Sequence, residues 1–203
     1  MYQVFKRISD IALSSICLII LSPLLIPITI GLRLTGEGYI FYKQERVGYK
    51  NRRFFILKFA TMLKDSPNMA GGVITTKKDP RITPMGGFLR KSKINELPQL
   101  VNILLGDMSF VGPRPSLPDL KEKFNEDGRM RVTVKPGLTN LAAVNGSIFL
   151  SWPERWVYDR IYVERQSFIM DMTIMLKTAV VVIMGENFYH KKTIDEVQAS
   201  DGK

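Results

Sequence analysis

The 203-residue sequence contains a single cysteine, Cys17, and a single histidine, His190. One cysteine excludes an intramolecular disulfide and a cysteine-built metal cluster. One histidine excludes a zinc site made of several histidines, so acid–base chemistry would fall mostly on carboxylates. The 19 acidic residues are outnumbered by 29 lysines and arginines. The resulting charge of +10 favours an anionic partner, and the 45% hydrophobic content excludes general disorder.

Charged residues are absent from residues 11–32, IALSSICLIILSPLLIPITIGL. About 20 apolar residues suffice for a membrane-spanning helix. A cleaved signal peptide is a second interpretation, although no small-x-small cleavage site follows. The third is a helix–break–helix hairpin that enters one leaflet and returns. Pro23 and Pro27 favour this third interpretation, because each removes a backbone donor and clashes with the preceding turn.

Basic residues flank the apolar run on both sides: Lys6, Arg7, Arg33, Lys43, Arg46, Lys50, Arg52 and Arg53. Positive charge is normally kept on the cytoplasmic side, and only a re-entrant segment keeps both flanks there. Ser22 next to Pro23 could donate to a carbonyl freed at the break. The sequence therefore predicts a re-entrant hairpin over residues 1–35, broken at Ser22 and Pro23. Residues 36–203 would form one compact interfacial domain on the cytoplasmic face of the membrane.

The remainder predicts a mixed, mainly helical α/β fold with short strands. Aromatic-rich residues 39–47 and 54–62 are typical of strands, and the turn-rich residues 64–84 of a long polar loop.

Three further elements are predicted toward the C-terminus. A helix lies within residues 86–105, is best defined over 96–105 and stops at Gly106. Residues 132–134 form a strand that leads into a type II turn at Pro136 and Gly137. Residues 152–183 form one or two helices.

Asn95-Glu96-Leu97-Pro98 has two interpretations at the start of the predicted helix. Asn95 at or beside the N-cap, Glu96 in the first turn and a nearby proline are typical of an ordinary capped helix. A helix N-terminus is also an anion site. The basic residues that precede it favour phosphate: Arg90, Lys91 and Lys93.

A second phosphate-type motif covers residues 106–115, GDMSFVGPRP. Arg114 stands between Pro113 and Pro115, so its backbone is stiff and its planar fork suits two phosphate oxygens. Asp107 could help to hold a divalent cation or cap a turn, and its spacing favours the turn.

Taken together, the motifs resemble the small monotopic phosphoglycosyl transferases, also called bacterial sugar transferases. The matching segments are KRISD (6–10), Ser22-Pro23, QERVG (44–48), LKFATM (57–62), DPRITPMG (79–86), LRKSKINELPQLVNILLGDMSFVGPRP (89–115), VKPGLTNLAAVNG (134–146) and YVERQSFIMDMTIMLKT (162–178).

This resemblance implies a reaction. Sugar-1-phosphate would pass from a UDP-sugar to polyprenyl (undecaprenyl) phosphate, releasing UMP and requiring Mg²⁺, in the first membrane step of glycan or exopolysaccharide assembly. The family uses an Asp-Glu pair, whose Asp attacks the β-phosphate to form a covalent phosphosugar intermediate. Asn95 and Glu96 occupy these positions, as catalytic and metal-holding residues.

Asn95 departs from the family pattern, because a neutral amide oxygen is a poor nucleophile and a poor magnesium ligand. Three explanations stay open: a deliberate inactivating substitution, a natural pseudoenzyme, or a branch that uses Glu96 itself.

The resemblance also implies roles for other residues. Lys58, Arg90 and Arg114 would neutralise phosphate, and Asp171 would have a supporting role. The segment associated with the nucleotide comprises Arg131, Lys135, Pro136 and Gly137. Ordinary alternatives are surface charge for Lys58 and Arg131, solvation for Lys135, and a helix-side ion pair for Asp171.

The expected partners are a UDP-sugar, polyprenyl phosphate, the inner leaflet and, in a homodimer, a second copy. Two other functions compete: an inactive scaffold or substrate-binding module, and a membrane-tethered nucleic-acid-binding protein. We expect no nucleic acid, because the sequence lacks a recognition-helix pattern, zinc spacing and an aromatic RNA-binding signature.

Overall fold

The computed structural model describes residues 2–35, 37–66, 68–69, 79–146 and 149–184. Much of the predicted polar loop lies outside these residues, as does His190. The mixed, mainly helical α/β architecture is confirmed. The α-helices and strands are α1 (Tyr2–Leu34), β1 (Phe41–Val47), β2 (Arg53–Phe59), α2 (Pro84–Lys91), α3 (Gln99–Leu105), β3 (Ser109–Val111), α4 (Pro118–Lys121), α5 (Glu126–Met130), β4 (Gly137–Thr139), α6 (Trp152–Arg165) and α7 (Phe168–Met184).

The N-terminal apolar run forms one helix, α1, which continues through Pro23 and Pro27. The predicted break of the helix at Ser22 and Pro23 is therefore wrong. Pro23 cannot donate to Ile19 O, and Ser22 Oγ donates to that carbonyl instead at 2.7 Å. The hydroxyl replaces the missing backbone donor, as expected for Ser22, and the helix continues. By length and composition α1 could cross a bilayer.

One face of α1 packs against the rest of the protein along the length of the helix. Asp10 and Ser14 are buried near its N-terminal end, and Ile28 and Leu32 near its C-terminal end. Between them, Cys17, Leu18 and Leu21 pack on a core that contains Leu100, Ile103 and Met108. The opposite stripe is apolar and exposed: Val4, Ile8, Ile11, Ile19, Ile26 and Ile30. Helix α1 thus packs one face on the domain and exposes the opposite, apolar face.

Both predicted aromatic strands are confirmed. Strands β1 and β2 pair antiparallel, with Tyr42 opposite Lys58. The second sheet pairs β3 with β4 in parallel. The predicted strand at 132–134 is wrong, because Arg131–Thr133 form a 3₁₀ turn. The strand comes later, where Gly137 N donates to Pro113 O and Ser109 N donates to Pro136 O.

The NELP segment does not open helix α3. Ile94–Glu96 form a 3₁₀ turn, and α3 begins at Gln99 with Pro98 at its N-cap position. The predicted N-cap role of Asn95 and the first-turn position of Glu96 are wrong. The helix ends as predicted, because Gly106 adopts a left-handed conformation with φ of 96°.

Helices α6 and α7 confirm the prediction for residues 152–183. Helix α6 starts with a capping box at Ser151 and Glu154. It places Tyr158, Ile161 and Tyr162 in the main core, against Ile174 of α7.

Candidate phosphate-binding site

A cavity of about 370 Å³ lies between the β1–β2 sheet and the segment that follows α2. Its lining includes Asn95 and Glu96, together with Lys58 and Arg90. The structure therefore brings Lys58 next to Glu96, which follows it by 38 positions in the sequence. The other lining residues are Tyr39, Tyr42, Gln44, Arg46, Phe59, Thr61, Met62, Ser66, Arg81 and Lys93.

Glu96 is the negative centre of this cavity. Its Oε1 accepts from Lys58 Nζ at 3.0 Å and from Arg114 Nη2 at 3.2 Å. Burial by itself would raise the pKa of Glu96, but the adjacent Arg114 and Lys58 hold it well below its usual range. Glu96 is therefore ionised at neutral pH and cannot serve there as a proton donor.

Strand β2 and helix α2 position two of the predicted cations. Lys58 projects from β2 toward Glu96, and burial lowers its pKa although Glu96 opposes the shift. Arg90 lies near the end of α2, where its Nε donates to Thr61 Oγ1 at 2.8 Å. That bond uses one of the five guanidinium donors.

Arg46 is a cation of the cavity that sequence reasoning missed. Successive side chains of a strand alternate between its faces, so Tyr42, Gln44 and Arg46 of β1 line the same side. This polar alternation within the QERVG motif was the available signal. Burial and the nearby Arg114 lower the pKa of Arg46 to about 10, and its Nε has no hydrogen-bond partner among the described residues.

Arg131 acts through Arg114 instead of lining the cavity. It is buried, its Nη2 donates to Arg114 O at 2.6 Å, and the same nitrogen lies 3.2 Å from Asp159 Oδ2. The surface-charge alternative for Arg131 is therefore wrong. Arg131 is a positioning residue that ties the Arg114 backbone to helix α6.

The remaining predicted residues lie away from Glu96. Pro136 and Gly137 are buried in the β3–β4 pairing, and Lys135 lines a separate cavity. Asp171 is buried where α1, α6 and α7 meet. It accepts from Tyr2 at 2.6 Å and from Tyr162 at 2.8 Å, and it also pairs with Lys6. These contacts match the ion-pair alternative for Asp171.

The described residues do not fit a resident magnesium ion. They contain no cluster of three potential His, Cys, Asp or Glu ligands. Glu96 is the only carboxylate among the described residues of the cavity lining, and two cations already hold its Oε1. Asn95 adds only a neutral amide oxygen, whereas magnesium sites in proteins use carboxylates and substrate phosphates.

This arrangement suits a phosphate-bearing ligand. Arg46, Lys58, Arg90 and Lys93 line the cavity, and Arg114 pairs with Glu96. Positive charge therefore exceeds negative charge, and guanidinium groups match phosphate oxygens in geometry. Such a site can neutralise a diphosphate and stabilise charge that develops on it during transfer.

Comparison with known proteins agrees with the resemblance of the sequence motifs. A family model described as bacterial sugar transferase matches residues 1–185. The exopolysaccharide production protein ExoY of Sinorhizobium fredii is 35% identical over 198 residues, which cover 91% of this chain and 88% of ExoY. An uncharacterized sugar transferase of Bacillus subtilis, EpsL, is 36% identical over 91% of this chain and 90% of its own length.

A longer relative shares the same region. The undecaprenyl-phosphate galactose phosphotransferase of Salmonella typhimurium is 36% identical over 91% of this chain, which corresponds to 41% of that protein. The chain therefore spans most of ExoY and EpsL but about two fifths of the Salmonella protein.

Proposed function

Because the chain belongs to the bacterial sugar transferase family, we propose that it transfers sugar-1-phosphate from a UDP-sugar to undecaprenyl phosphate and releases UMP. The observation that carries this proposal is the cation-lined cavity around Glu96. The Salmonella relative is named for a phosphotransfer to the same acceptor.

The proposed reaction has two balanced steps. A carboxylate oxygen attacks the β-phosphorus of the UDP-sugar, the bond to the bridging oxygen breaks, and UMP leaves with the electron pair. A phosphate oxygen of the acceptor then attacks the phosphorus of the enzyme-bound phosphosugar. The bond from this phosphorus to the carboxylate oxygen breaks, and the carboxylate is regenerated. Lys58 and Arg114 are placed to neutralise charge on the phosphates, and Arg46 and Arg90 supply further donors.

The nucleophile is where this chain departs from its family. Asn95 lines the cavity but has no carboxylate, so Glu96 is the carboxylate available for the covalent step. The same observation supports a second candidate function, in which the protein binds the substrate without turnover. We derive no step through magnesium, and we propose that any magnesium requirement enters with the diphosphate.

We also propose that α1 lies in the inner leaflet of the cytoplasmic membrane, with the domain on the cytoplasmic face. Its contacts with the domain extend from Tyr2 to Leu32, so a perpendicular helix would draw the domain into the bilayer. Its exposed apolar stripe needs a lipid environment.

UMP release tests this function across a panel of UDP-sugars with undecaprenyl phosphate and magnesium. We expect Asn95→Asp to raise the rate at least about tenfold and Glu96→Gln to lower it about 100-fold, because these changes add and remove a carboxylate at the diphosphate. Asn125→Asp is the matched control, since Asp also serves as an N-cap there.

The outcomes separate the two candidate functions. UMP release by the unsubstituted protein supports the transferase. Binding of UDP-sugar without UMP release, followed by turnover in Asn95→Asp, supports the substrate-binding homologue. If both proteins are inert with every UDP-sugar, the proposed reaction is wrong.

A further inference from the structure

A second cavity, of about 380 Å³, lies at the N-terminal end of α1. None of its described lining residues also lines the cavity around Glu96. It is built from α1, from the loop before β4 and from α6. Three cations line it, Lys6, Arg7 and Lys135, against one carboxylate, Asp10.

The contacts of these residues leave positive charge available. Lys6 pairs with Asp171, and Asp10 Oδ1 accepts from Ser109 Oγ at 3.0 Å and from Phe110 N at 3.1 Å. Arg7 donates to Ile103 O and Leu104 O, which neutralises none of its charge. Lys135 Nζ forms no ion pair with any described residue.

Arg7 and Lys135 converge beside Gly106. A Cβ built on Gly106 would lie 3.1 Å from Arg7 Nη2 and 3.4 Å from Lys135 Nζ. The two like charges on either side of this position repel one another, and an anion between them would relieve the repulsion. Burial lowers the pKa of Lys135 and Arg7 lowers it further, although Asp10 and Asp107 oppose the shift.

Exposed apolar side chains adjoin the cationic lining. Phe5 precedes Lys6 and makes an edge-to-face contact with Phe168 of α7, with the ring centroids 5.3 Å apart. Phe5 and Phe168 are half exposed, and Leu105, which precedes Gly106, is 72% exposed. Fixed cations beside exposed apolar groups match the boundary between lipid phosphates and acyl chains.

We propose that this cavity binds the phosphate head group of an anionic membrane phospholipid, with Arg7 and Lys135 contacting the phosphate. The adjoining apolar surface favours a lipid over free phosphate as the source. The proposal shares with the proposed function only the placement of α1 in the membrane. It requires no sugar transfer.

Native mass spectrometry of the full chain in a neutral detergent tests this site, with phosphatidylglycerol and phosphatidylcholine supplied in equal amounts. We expect preferential retention of phosphatidylglycerol. Lys135→Gln should reduce that retention about tenfold, as for a lost charged contact. Lys123→Gln removes the same charge from an exposed position outside the cavity and should retain the lipid. Lys135→Arg keeps the charge and should also retain it.

Equal retention of the two lipids, or equal losses in Lys135→Gln and Lys123→Gln, would overturn the proposal. Competition distinguishes the two sources of phosphate. Short-chain phosphatidylglycerol should displace the bound lipid, whereas displacement by inorganic phosphate at the same concentration would identify a free-phosphate site instead. UMP release measured on the same preparations shows separately whether the proposed function fails.

Discussion

The carboxyl groups of Glu96 and Asp159 show how neighbouring charges set the ionisation of a buried acid. Glu96 has two cations at hydrogen-bond distance, which outweigh its burial and lower its pKa. Asp159 is also next to a cation, Arg131, but burial dominates and raises its pKa to about 6. Glu96 therefore stays ionised at neutral pH. Asp159 changes its ionisation near pH 6, and it pairs with Arg131, which holds the backbone of Arg114.

Asp159→Asn should remove a pH dependence of stability. The folded pKa of about 6 exceeds the ordinary value of 3.8, so the folded protein binds more protons between these values. Lowering the pH from 7 to 5 should therefore stabilise the unsubstituted protein by about 1 kcal/mol through this group alone. Unfolding of both proteins in detergent at the two pH values measures the difference. Parallel pH curves for the two proteins would contradict this origin.

Helix α2 shows how a close backbone contact fixes the position of a charged side chain. Gly86 packs on strand-flanking Thr61, whose hydroxyl accepts from Arg90 Nε on the same helix. A Cβ on Gly86 would lie 2.0 Å from Thr61 O, whereas one on Gly87 would find its nearest neighbour 4.0 Å away. Adjacent glycines of one helix therefore have different structural roles.

Gly86→Ala should lower the free energy of unfolding by about 3 kcal/mol, because the helix must move away from Thr61. The displacement also moves Arg90, so UMP release should fall in parallel. Gly87→Ala is the matched control and should stabilise the protein by about 0.5 kcal/mol, since alanine favours a helix interior. Thermal unfolding and UMP release measure both effects. Similar effects of the two substitutions would show that the contact with Thr61 is unimportant.

At the scale of the whole molecule, two apolar helices adjoin one another. Helix α1 exposes its apolar stripe, and α7 buries only Asp171 and Ile174. Phe5 and Phe168 bring the N-terminal ends of the two helices into contact. This apolar surface is too large for a protein surrounded by water and favours embedding of one side of the molecule in a membrane.

Cysteine labelling tests the one-leaflet placement. Cys17 is the only cysteine, so Cys17→Ser gives a background for single cysteines at Gln3 and Thr35, near the two ends of α1. A membrane-impermeant maleimide should label neither position in intact spheroplasts and both after permeabilisation. A spanning α1 would instead expose one of the two positions in intact spheroplasts. The Cys17→Ser protein without an added cysteine measures the background.

Local signals in the sequence determined the elements that depend on neighbouring residues. Richness in aromatic residues predicted β1 and β2, and Gly106 ended α3 because its left-handed conformation suits a residue without a Cβ. The same local reasoning failed at residues 132–134. Strand pairing is a long-range property, and only contact with β3 decided that the strand would be Gly137–Thr139.

The sequence alone also determined the chemistry available at the site: one carboxylate at the paired position, an amide beside it, and a surplus of cations. The tertiary structure decided which cations act there. It brought Arg46 and Lys58 of the sheet to Glu96, buried Arg131 behind Arg114, and placed Lys135 in a second cavity. Charges interact through space and not along the chain, so their partners are set only when the helices and strands have packed.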